Sequence, residues 1–98
     1  MEFEFDEAKS ATNLAKHGMD FLTAQVLWDI FAAEKPLNFP GEARFYRIAP
    51  WEGRFWTAIF TLRGVKVRLI SVRRGRRREV EDYERAKSGR NGEPDPQP

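Results

Sequence analysis

Phe3 and Phe5 alternate with Glu2, Glu4 and Asp6, and a period of two marks a short edge strand. Asp6 then suits a helix N-cap, with Glu7 in the positive first turn. Ala8, Ala11, Leu14 and Ala15 recur at helical spacing, which predicts an amphipathic helix from Asp6 to His17 with those residues as its apolar face. Lys16 and His17 fall in its last turn, and Gly18 is the expected left-handed stop. Asp20 is a second N-cap. The stripe of Phe21, Ala24, Leu27, Trp28 and Phe31 predicts a second helix that ends near Asp29.

Beyond Phe31 the period shortens. Phe31 to Lys35 is a candidate strand before Pro36, and Leu37 to Gly41 reads as a loop. Arg44–Ala49, Arg54–Leu62 and Val65–Arg73 are three strands. Pro50-Trp51-Glu52-Gly53 and Arg63-Gly64 are the turns of an antiparallel meander. In the last strand Val65, Val67 and Leu69 share one face, and Lys66 and Arg68 share the other with Ile70 and Val72. A strand apolar on both sides at its far end suits a central place under helices. Glu79 to Lys87 is a charged helix. Ser88 to Pro98 has no large apolar residue and reads as a disordered Pro/Gly-rich tail after a single domain of residues 1–87. The order is β, α, α, β, three β, α. This predicts an α+β fold: two N-terminal helices packed on an antiparallel β-sheet, followed by a C-terminal helix.

Composition changes this picture in one place. Ninety-eight residues with 41% apolar content support one small core. With no cysteine, disulfides and thiolate metal sites are excluded. No apolar run approaches the roughly 20 residues of a membrane helix, and MEFEFDEAK is not a signal peptide, so a cytoplasmic protein with no membrane partner is expected. Net charge is only +2, yet Arg63 to Arg78 holds eight Lys or Arg and no Asp or Glu. That segment, unlike the overall balance, points to a polyanion.

Guanidinium is planar, always charged and forks onto phosphate. Arg68 and Arg73 project from a strand among apolar neighbours, so each needs a partner or a ligand. Arg76, Arg77 and Arg78 have a plainer explanation, as a solvated helix start paired with Glu79, Glu81, Asp82 and Glu84. As three cations in a first turn they oppose the helix dipole by a few tenths of a kcal/mol. Lys16-His17-Gly18 reads first as a helix C-cap, and a lone histidine is weak evidence for catalysis. A His-rich metal site is excluded, and the scattered carboxylates form no recognisable magnesium site. Trp28, Trp51 and Trp56 read as core packing before base stacking. No phosphate-binding glycine loop or nucleophile elbow is present.

Taken in order, these pieces resemble the BrnT family, small RelE-like ribonuclease toxins of type II toxin–antitoxin modules. The marks are Phe5-Asp6, Lys9, Asn13, Lys16-His17-Gly18 and Phe21, then Arg44, the R-x-I-S-x-R strand (Arg68, Ile70-Ser71, Arg73), Glu79 and Tyr83. The resemblance covers roughly residues 3–85, and the ordered set is specific where any one piece is weak. Leu62 stands where a glutamate commonly precedes Arg63, and Gly75-Arg76 where an alanine-threonine pair is usual.

The resemblance implies a RelE-like fold and metal-independent RNA cleavage that arrests growth, with no cofactor. Its partner would be a BrnA-like antitoxin with a ribbon-helix-helix domain, and the two together would bind promoter DNA. Metal-free cleavage uses a ribose 2′-OH as nucleophile and needs charge neutralisation and proton transfer. Arg68, Arg73 and Arg74 are expected to grip the phosphate, with Arg44, Arg63, Lys9, Lys16 and Arg77 binding RNA. His17, Tyr83, Glu79 or Lys9 would move the protons. Substrate is expected to be free RNA or mRNA in the ribosome. Two other readings stand beside this one. A non-catalytic nucleic-acid-binding module would need only the arginine run. A pure interaction protein would pair its sheet edge with a partner strand.

Overall fold

The structure is a computed structural model that describes residues 1–91. Asp6 and Gly18 bracket the first helix as their residue types dictate. Asp6 Oδ1 accepts from the Lys9 N–H at 3.0 Å and opens α1, Glu7–His17. Gly18, at φ 91°, donates its N–H to the Leu14 carbonyl at 2.9 Å and closes it.

The helix presents the opposite face to the one periodicity predicts. Ala8, Ala11, Leu14 and Ala15 face solvent, whereas Ser10 and Asn13 are buried. The reason is hydrogen bonding. Ser10 Oγ accepts from the Phe21 N–H at 2.9 Å. Asn13 donates to the Met19 and Val72 carbonyls, each at 2.7 Å, and accepts from the Val72 N–H at 3.1 Å. Polar side chains that satisfy buried backbone outweigh a weak stripe of alanines.

The second helix also departs from expectation. Asp20 caps it through Thr23 N–H at 2.8 Å, but α2 spans only Phe21–Ala24 before tightening into a 3₁₀ turn, Gln25–Trp28. That turn has three residues per revolution, so Phe21, Ala24 and Leu27 stay on one buried face.

Five strands follow the order β1-β5-β4-β3-β2. β3 (Arg44–Trp51), β4 (Arg54–Arg63) and β5 (Lys66–Arg74) form the predicted antiparallel meander, and β2 (Ala33–Leu37) extends it by pairing antiparallel with β3. β1 (Glu2–Glu4) joins the outer edge of β5 in parallel. β2 begins after Phe31 and runs through Pro36, later than expected. An edge strand tolerates a proline because one side of it needs no ladder partner. The β3–β4 turn is only Glu52-Gly53, both at positive φ (54° and 75°). Pro50 and Trp51 therefore belong to β3, and Trp51 packs half-buried against the core.

In β5 the pairing shifts. Leu69 faces Phe60 and Ser71 faces Ile59, which leaves Ile70 as a bulge. Alternation restarts there. Val72 thus returns to the face of Val67 and Leu69, correcting its expected place beside Arg68, while Val65 is 82% exposed in the turn.

α1, α2 and the 3₁₀ turn cover one face of the sheet, over a core that includes Phe21, Leu27, Phe60, Val67 and Val72. Burying each such side chain stabilises by about 1.5–3 kcal/mol. α3, Arg77–Asn91, crosses the opposite face at β2 and β3, where its Tyr83 packs with Ile48, Tyr46 and Phe55. Gly75 allows that crossing, because a Cβ there would meet Ile48 Cδ1 at 2.8 Å and Phe55 Cβ at 3.1 Å. This is the α+β arrangement expected, with a C-terminal helix. That helix is longer than predicted, since Ser88–Asn91 are helical. The remainder of the expected tail, 92–98, lies outside the described residues. No helix among the described residues is long and apolar enough to cross a membrane.

Candidate nucleic-acid cleavage site

The Ile70 bulge decides where the arginines go. Residues 68 and 73 are an odd number apart, so a regular strand would send them to opposite faces. With the bulge, Arg68 pairs with Thr61 and Arg73 with Thr57 on one face of the sheet, the face α3 covers only in part. Arg44 and Arg63 share it by register.

Each of these four arginines has a carboxylate. Arg68 meets Glu4 at 3.0 Å, because β1 lies beside β5 in parallel register. Arg63 meets Glu42 at 3.3 Å, and Arg44 stacks 3.8 Å over Phe39 with the same Glu42 at 4.0 Å. Arg73 forks onto Glu79 at 3.0 and 2.8 Å.

Glu79 is 7% exposed. It also accepts from the Thr57 hydroxyl at 2.8 Å and the Arg76 N–H at 2.9 Å, the latter a helix-capping bond. Burial alone would raise its pKa, but Arg73 and the two other donors outweigh burial and hold the carboxyl below its usual 4.5. Its carboxylate oxygens are thus engaged by Arg73, Thr57 and the start of α3.

Asp82 accepts from the Tyr46 hydroxyl, Lys35 and Arg85, which hold its carboxyl below 3.8 against the opposing effect of burial. Tyr46 is pushed up, first by burial and then by that carboxylate. Depressed carboxyl values stabilise the fold above the unfolded values, and that stability is lost as pH falls through the folded ones. The urea midpoint should therefore fall steeply below about pH 4. A Glu79→Gln variant, weaker at neutral pH, should show a shallower decline. Equal acid slopes for the two proteins would contradict the assignment.

The second group lies at the edge of β5. Beyond Arg68 that edge is free of β1, and α1 lies alongside, tied by Asn13 to both polar groups of Val72. The Asn13 amide thus replaces a neighbouring strand. Between α1 and the bulge is a cleft of about 280 Å³, lined by Lys9, Thr12, Lys16, His17, Ile70 and Ser71 among others. The side chains of Lys9, Lys16 and His17 make no ion pair among the described residues. Ser71 belongs to both regions. It lines the cleft, and its register partner Ile59 puts it on the face of Arg68 and Arg73.

The structure thus brings Lys9, Lys16 and His17 together, and separately Arg44, Arg63, Arg68, Arg73 and Glu79. It puts Tyr83 elsewhere, in the core, with ring centres 5.6 Å from Phe31 and 5.3 Å from Phe55. Arg74 lies on the helix-covered face, 5.9 Å over Trp56. Arg77 is exposed in the first turn of α3. Arg76, Arg77 and Arg78 lack the carboxylate pairs expected for them among the described residues: Arg73 occupies Glu79, three other groups occupy Asp82, and Glu81 and Glu84 are exposed without an ion pair.

Sequence reading missed Ser71 as the link between the two groups and Asn13 as the edge cap. Both stand within the motifs quoted above, but the bulge that gives them these roles leaves no local signal. No group of three or more His, Asp or Glu among the described residues is placed to hold a metal ion.

A family model described as ribonuclease toxin, BrnT, of type II toxin–antitoxin system matches residues 5–79. No curated protein and no solved structure matches the chain. The matched span holds α1, β2 to β5, the cleft and the Arg73–Glu79 pair, and Tyr83 lies beyond it. On that span, well over half of its length, the chain belongs to the BrnT family of ribonuclease toxins of type II toxin–antitoxin systems.

Proposed function

We propose that the protein cleaves RNA without a metal ion in the cleft between α1 and β5. The observation that carries this is the meeting of Lys9, Lys16 and His17 around Ser71, with no carboxylate paired to any of them among the described residues. A ribose 2′-oxygen attacks the adjacent phosphorus, the P–O5′ bond breaks, and a 2′,3′-cyclic phosphate and a 5′-hydroxyl result. His17 moves the proton, as the side chain type that ordinarily titrates near neutrality. Lys9 and Lys16 neutralise the charge that builds on phosphorus. Arg68 and Arg73 flank Ser71 on the open face and guide the strand, held in place by Glu4 and Glu79.

Cleavage of RNA in the cytoplasm would arrest translation and growth. The antitoxin is a BrnA-like protein whose ribbon-helix-helix domain takes the complex to promoter DNA, and an acidic segment of it covers the basic cleft. The test is a labelled naked RNA incubated with the protein in EDTA. The wild type should yield cyclic-phosphate ends, and a Lys9→Ala/Lys16→Ala double variant should be slower by roughly 10²-fold. Intact RNA with the wild type would overturn ribosome-independent cleavage. Cleavage restored only by magnesium would overturn the metal-free route.

A further inference from the structure

We propose that a groove between β2, β3 and the start of α3 binds a second phosphate of the RNA strand, away from the one that is cleaved. The proposal rests on the ribonuclease reading above. A cavity of about 270 Å³ is lined by Leu37, Tyr46, Arg73, Arg76, Arg78 and Glu79. It shares Leu37, Tyr46 and Arg78 with a wider cleft of about 560 Å³.

Two features select the ligand. The first is unspent positive charge. Arg76 and Arg78 are exposed and have no ion pair among the described residues, and the nearby carboxylates of Glu79 and Asp82 are already saturated. Exposed guanidinium groups on the wall of a concavity suit the forked recognition of a phosphate. The second is the floor. Leu37 is apolar and the Tyr46 hydroxyl is committed to Asp82, so the floor adds no free polar group and contact falls to the guanidinium groups of the wall. Recognition there is by charge and is independent of sequence.

The position within the groove also follows. The wider cleft carries Glu81, which repels an anion, whereas the Arg76 end carries only the neutralised Glu79. Arg73 connects the groove to the catalytic region. It lines the cavity and shares its sheet face with Ser71, which lines the α1 cleft. A strand leaving the cleft over Ser71 reaches Arg73 and then Arg76 and Arg78.

The experiment uses the full chain carrying His17→Ala, so that the RNA survives, with and without Arg76→Gln/Arg78→Gln. Binding of a short fluorescent single-stranded RNA is followed by anisotropy across a salt series. Loss of one phosphate contact should flatten the plot of log affinity against log salt by about 0.7. Affinity at low salt should fall about tenfold. The melting temperature should stay level or rise, since like charge is removed from the positive end of α3. An unchanged slope and affinity, with the parent still binding RNA, would overturn the groove alone. So would a double variant that keeps its RNA affinity but no longer binds an acidic polypeptide, which would make the groove a protein contact. A parent that binds no RNA at any salt, together with a wild type that cleaves none, would instead remove the ribonuclease reading and the groove with it.

Discussion

Replacing His17 by alanine should slow RNA cleavage by about 10²–10⁴-fold, the usual contribution of one proton-transfer group. The case rests on position. His17 ends α1, where Gly18 turns the chain away, and it lines the cleft with Lys9, Lys16 and Ser71. It is the chain's single histidine, so no other imidazole can substitute. Its structural contribution is small. A cation in the last turn of a helix adds a few tenths of a kcal/mol through the dipole, so His17→Ala should melt within a few degrees of the wild type. RNA affinity should also persist, because the neighbouring lysines supply the charge. The expected signature is therefore a fallen kcat with little change in binding. A variant that cleaves at the wild-type rate would remove His17 from the mechanism, and proton transfer would then have to come from Lys9 or solvent. A variant that loses binding and stability together would make His17 a packing residue.

Asn13→Leu should lower stability by about 3–5 kcal/mol, although it replaces a polar side chain with an apolar one of similar size. The gain expected from an apolar residue at a buried position is outweighed by what it abandons. The Val72 N–H, the Val72 carbonyl and the Met19 carbonyl would all lose their partner inside the protein. Each buried orphan costs about 1–3 kcal/mol. For a domain of this size each kcal/mol moves the melting temperature by about 4–8 °C, so the drop should exceed about 12 °C. Asn13→Asp is the informative companion. A carboxylate can accept from the Val72 N–H but cannot donate to either carbonyl, so most of the loss should remain. Thermal unfolding followed by circular dichroism measures both. Losses within about 0.5 kcal/mol of wild type would show that the β5 edge needs no cap. Losing the cap also loosens α1, so this variant should cleave RNA poorly even at temperatures where it is folded.

His17 and Asn13 lie on neighbouring turns of α1 and differ in how far sequence alone reveals their roles. The residues around His17 are legible in sequence as a C-cap, and the observed cap matches in every element. The side chain's cleft is not legible, since it depends on Ile70 and Ser71 arriving from the last strand. Asn13 is legible only as a mark of family resemblance. Its physical duty, standing in for a missing strand, required the strand to be in view.

What the sequence determined by itself was everything set by a few adjacent residues. Asp6, Asp20 and Gly18 dictate helix ends because capping bonds span three or four positions. Alternation and turn residues dictate the meander, because strand pairing across a short turn is nearly local. The concentration of arginine from 63 to 78 was plain in the sequence, as was the ordered motif set of the family.

Tertiary structure decided which faces these elements present and which charges meet. α1 turned its alanines outward because Asn13 found Val72, 59 positions along the chain. One bulged residue put Arg68 and Arg73 on the same face, where no period of two could. Glu4 took Arg68 across 64 positions, Glu79 took Arg73, and Tyr83 went to the core between Phe31 and Phe55. Such partners are chosen by burial. A charge or amide removed from water must be satisfied by whatever the fold brings within reach, and sequence distance has no part in that choice.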